Sequence, residues 1–108
     1  MIKEIEINGK LEKFSFGLGM LGDMLFKLNV GWLKFDEMQA ENPFKYTPIK
    51  MMHSYNYAND LEVTEKEFLK MLNDDVHHPA IERFNILFME SLTKNVTTQE
   101  KKTLNKAK

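Results

Sequence analysis

At 108 residues the chain has the length of one domain, and 43% hydrophobic with 29% charged residues is an ordinary composition for a soluble globular protein. It has no cysteine, which excludes disulfides, thiol catalysis and zinc–thiolate sites, and no apolar run of about 18 residues that would span a membrane. The net charge of −1 is uneven: residues 94–108 carry five lysines against Glu100, a net of +4, which leaves −5 for the rest.

The chain opens MIKEIEINGKLEKFSF. The charged, alternating start does not read as a signal peptide. Asn8-Gly9 between two alternating runs predicts a β-hairpin, because a type I′ turn needs two residues at positive φ. A two-residue loop pairs Glu4 with Lys13 across the strands; a three-residue loop would oppose Glu6 and Glu12. The two-residue register gathers Ile5, Ile7, Phe14 and Phe16 on one face and turns Leu11 to the other. A lone hairpin is marginal in water, so this face must lie on the helices that follow.

The first helix is expected over 18–29, with Leu18, Leu21, Leu25 and Leu28 as a stripe at helical spacing and Met20 and Met24 beside it. Gly19 and Gly22 are costly inside a helix and lack a Cβ, which suggests close packing under the hairpin; Gly17 suits the strand-to-helix turn. No Gly-Lys-Ser/Thr follows these glycines, so they do not read as a phosphate loop. Val30-Gly31-Trp32 ends the helix. A short helix over 36–41 would take Asp36 as N-cap, and Asn42-Pro43 breaks it. Thr47-Pro48 is then expected to start the next helix, to about Asp60, with Met51, Met52, Tyr55 and Ala58 along one side.

Thr64-Glu65-Lys66-Glu67 matches a capping box and opens a helix with a Phe68, Leu69 and Leu72 stripe. A loop over 74–78 follows, and Pro79 suits the first position of a helix to about Thr93. Ile81, Phe84, Ile86, Leu87, Phe88, Met89 and Leu92 surround most of this last helix. A helix apolar nearly all round is buried or meets a second body. Beyond it lies a basic tail, 95–108, expected to be flexible, with a capping-box match at Thr97-Thr98-Gln99-Glu100. The fold class expected is α+β, mostly α: an N-terminal hairpin and a bundle of four to five helices in one domain, 1–94.

Nothing in the sequence carries catalysis. His77-His78 beside Asp74 and Asp75 invites a metal reading, but adjacent residues on a helix point about 100° apart, and a loop with solvated histidines is the simpler account. His53 reads as a helix-surface or satisfied core histidine. Ser15, Ser54 and Ser91 lack a nucleophile context. No cofactor and no metal are expected. A single arginine and an acidic body argue against nucleic acid, with the Lys-rich tail as the alternative route to it. What stands out is eight Met, eight Phe, three Tyr and one Trp, since Met-rich faces recur at adaptable binding sites.

The stretches IEINGK, FGLGML, ENPFKYTPIKMMHSYNYA and MESLTKN, in that order over residues 1–95, resemble the tail assembly chaperones of long-tailed bacteriophages and prophages. The resemblance implies a mostly helical protein, made in the cytoplasm of the host bacterium. It would bind the tape measure protein, keep it soluble and help bring tail tube protein to it. Rival classes are a small structural tail-completion protein and a small regulatory or nucleic-acid-binding protein. From the residues alone, a partner groove between antiparallel helices is expected at Met51, Met52, Tyr55, Phe88 and Met89, with self-association as another way to cover these side chains.

Overall fold

The computed structural model describes the backbone of residues 1–107 and the side chains of residues 1–93. The flexible tail expected over 95–108 and its capping box lie outside the described side chains. The fold is an N-terminal antiparallel hairpin followed by five helices, α+β and mostly α.

Strands β1 (Ile2–Ile7) and β2 (Lys10–Ser15) pair in the expected register, with Glu4 opposite Lys13. The turn residues have φ of 53° at Asn8 and 85° at Gly9, as a type I′ turn demands. Ile5, Ile7, Phe14 and Phe16 are all buried, and Leu11 points to solvent. Phe14 is the centre of the core. Its ring lies 5.6 Å from Tyr55, 5.8 Å from Phe84 and 6.3 Å from Phe68. Aromatic pairs at these separations add to the simple burial of area.

Two carbonyls on the free edge of β2 are capped by side chains from the helices. Asn59 Nδ2 donates to the Lys13 carbonyl at 3.0 Å, and Ser54 Oγ donates to the Ser15 carbonyl at 2.7 Å. An exposed strand edge is a template for pairing with other chains, and these two bonds block part of it. Ser91 Oγ reaches the carbonyl of Phe16, just past the strand, at 3.1 Å. Ser54 and Ser91, unassigned by sequence, are thus structural.

Helix α1 (Leu18–Leu28) starts from Gly17 and ends at Asn29, whose φ of 55° gives a left-handed cap. Its buried residues are Met20 and Met24, while Leu21, Leu25 and Leu28 flank them and Leu18 is exposed. The expected leucine stripe is therefore turned away from the core centre, which the two flexible methionines enter instead. Gly19 is closely packed, but against Tyr57 rather than the hairpin: a Cβ there would fall on the Tyr57 hydroxyl. A Cβ at Gly22 would meet nothing.

Helix α2 (Trp32–Glu41) begins four residues before the expected Asp36. Gly31 precedes it without any side-chain cap; what fixes the start is burial of Phe35 and the packing of Trp32 on Phe88 at 6.2 Å. Helix α3 (Pro43–Asn59) also starts earlier than expected. Pro43 takes the favourable first position, and Pro48 sits inside the helix, where it removes one hydrogen bond. Burial of Thr47, Pro48 and Ile49 offsets that loss. Helix α3 is the hub of the fold, packing against β2, α1, α2 and the two helices that follow it.

Helix α4 (Glu65–Met71) has the full capping box: Thr64 Oγ1 accepts from the Glu67 N–H, and Glu67 Oε1 accepts from the Thr64 N–H, both at 3.1 Å. The Thr64 N–H, and next the Thr64 hydroxyl, hold the Glu67 carboxyl below its usual range. Helix α5 (Pro79–Ala107) runs past the expected end at Thr93.

Candidate partner-docking surface

The five residues expected to rim a groove between α3 and α5 do not share a surface. Met51 is fully buried, Tyr55 lies in the aromatic core, and Phe88 is buried against Trp32 and Phe84. Met52 is partly buried on the core's flank. Met89 alone is exposed, at 58%. Met51 and Tyr55 face inward because α3 is the central helix, and Phe88 because α5 lays that side on Trp32 and Phe84.

The outer face of α5 is nevertheless apolar. One side of the helix buries Ala80, Phe84, Leu87 and Phe88. The opposite side carries Glu82, Ile86, Met89 and Thr93 at i, i+4, i+7 and i+11, a helical stripe facing outward. Ile86 and Met89 line a shallow depression with Asn85, Glu90 and Thr93. A second depression joins it at Asn85 and Ile86 and runs past Glu82 to Val76. A cavity of about 240 Å³ continues from Val76, Ile81 and Asn85 to Phe44 and Pro48 at the start of α3, with Asp74 and Asp75 on its rim. Phe44, Val76, Ile86 and Met89 are the exposed large apolar residues along this surface. The sequence signal for it was present: α5 has more apolar positions than one core contact uses. Phe44 and Val76 carried no such signal, since they join the surface only through the packing of α3 and the 74–78 loop beside α5.

The 74–78 loop is held by the hairpin turn. Asn8 Nδ2 donates to the Met71 carbonyl at 2.8 Å, and Asn8 Oδ1 accepts from Asn73 Nδ2 at 3.1 Å. His78 is buried, not solvated. Its Nδ1 accepts the Ala80 N–H at 3.0 Å, so the neutral ring carries its proton on Nε2, which donates to Asn8 Oδ1 at 3.0 Å. Both ring nitrogens are thereby used. His77 is exposed, and among the described residues no three His, Cys, Asp or Glu side chains gather to hold a metal ion.

One further polar group is unusual. Lys50 is 4% exposed; its Nζ donates to Gln39 Oε1 at 2.9 Å and lies 3.8 Å from the centre of the Phe88 ring. Gln39 Nε2 in turn donates to Thr47 Oγ1 at 3.0 Å. Burial pushes the amine down to about 8, against the opposing pull of Asp36. The chain Lys50–Gln39–Thr47 pins α2 to α3, and no sequence pattern announced it. His53 is also held below its usual range, first by burial and then by Lys27.

Among the described residues no helix is long and apolar enough to cross a membrane. No protein-family model, curated protein or solved structure matches the chain.

Proposed function

We propose that this chain is a tail assembly chaperone of a long-tailed phage or prophage, acting by binding rather than by catalysis. It would hold a long helical tape measure protein in solution and aid assembly of tail tube protein around it. Two lines support the reading. One is the resemblance of the ordered stretches from IEINGK to MESLTKN. The other, which carries it, is the outer face of α5: Ile86 and Met89 lie exposed on a helix whose opposite side is already fully used by the core. An amphipathic partner helix laid along such a face buries apolar area on both sides. Co-expression with a phage tape measure protein tests the reading. The partner should be soluble and co-purify with the chain, and insoluble without it. A partner equally soluble and unbound in both cases would refute the function.

A further inference from the structure

We infer that the docking surface selects a basic amphipathic helix, one whose apolar stripe is flanked by lysine or arginine. The inference rests on the helix-docking reading above and adds the charge of the partner. Among the described residues, the three joined depressions are lined by four carboxylates, Asp74, Asp75, Glu82 and Glu90, and by no lysine or arginine. Asp74 and Asp75 stand at the mouth of the cavity beside Val76, and Glu82 lies one helical turn before Ile86 on the same face of α5.

The Asp75 carboxylate is fixed in position. Asp75 Oδ1 accepts the His77 N–H at 2.9 Å, and the loop is tied at both ends to Asn8 through Met71 and His78. An apolar trough rimmed by carboxylates admits leucine-sized side chains in its floor and ammonium or guanidinium groups at its edges. It repels a helix flanked by glutamate.

Two synthetic peptides of about 20 residues with the same leucine stripe test this, one flanked by lysines and one by glutamates. Binding to the full chain is read by fluorescence anisotropy at low and at physiological salt. The lysine peptide should bind, more weakly as salt rises, and the glutamate peptide should not. The isosteric variant Asp74→Asn/Asp75→Asn/Glu82→Gln should weaken the lysine peptide by about tenfold or more, at a factor of about two to five for each exposed pair. Met89→Glu, set in the trough floor, should abolish binding while thermal unfolding stays unchanged. Equal binding of the two peptides, or no loss in the triple variant, would overturn the charge rule and leave helix docking standing. Failure of both peptides would overturn helix docking as well. A stable dimer dissociated by Met89→Glu would overturn the rule by showing that a second copy occupies the surface.

Discussion

The carboxamide oxygen of Asn8 accepts a hydrogen bond from Nε2 of His78, 3.0 Å away and seventy residues along the chain. The same side chain donates to the Met71 carbonyl and accepts from Asn73. Asn8 therefore has two roles. Its backbone supplies the left-handed residue of the hairpin turn, and its side chain locks that turn to the loop that presents Asp74, Asp75 and Val76.

The two roles can be separated by substitution. Asn8→Gly keeps the backbone freedom of the turn but removes all three bonds. It should cost about 1 kcal/mol or more, because the Nε2 of buried His78 is left unmatched, while the exposed Asn73 and Met71 partners can turn to water. For a domain of this size that lowers the melting temperature by roughly 5 °C or more. An unchanged melting temperature would mean that the side-chain bonds contribute nothing.

The two helical glycines of α1 should respond differently. Gly22 is open to solvent with helical backbone, so Gly22→Ala should stabilise by about 0.5–1 kcal/mol. Gly19→Ala gains the same backbone term but must displace the half-exposed ring of Tyr57. Its melting temperature should fall short of that of Gly22→Ala. Equal gains would show that Tyr57 moves aside at no cost.

Lys50 makes stability depend on alkaline pH. Its amine titrates at about 8 in the folded chain and near its ordinary 10.5 when unfolded. Below pH 8 both states hold the proton, and the folded state bears the full cost of a buried charge. Between about 8 and 10.5 the unfolded state binds more protons, so stability rises with pH. The whole difference is worth about 3 kcal/mol at most. Tyr55, whose phenol is pushed up by burial and by Glu12, opposes this only above its ordinary 10. Urea midpoints should therefore rise from pH 7.5 to 9.5, and Lys50→Met should flatten that rise. A midpoint that falls over this range in the parent chain, or rises equally in the variant, would contradict the assignment.

The readable parts of the sequence were those governed by local geometry. Asn8-Gly9 set the turn and register, Thr64 to Glu67 the capping box, and Pro79 the start of α5. Starts fixed by burial were not readable. Gly31 and Trp32 open α2 with no cap, and Pro48, expected in a first turn, stands inside α3, where Thr47 to Lys50 are buried against other helices. The docking surface was half legible. The excess of apolar residues on α5 pointed to Met89. Which of Met51, Tyr55 and Phe88 would face inward depended on α3 being the hub, which periodicity on one helix does not reveal.

The central claim is that the outer face of α5 is a docking surface and not part of the core. Paired measurements on Ile86→Glu/Met89→Glu test it most directly: the melting temperature of the chain alone, and the soluble fraction of the co-expressed tape measure protein. Both side chains are exposed, so glutamates there meet water and no buried charge is created. The account predicts a melting temperature within a degree or two of the parent and a partner that falls out of solution. A folded variant that still keeps the partner soluble would contradict it.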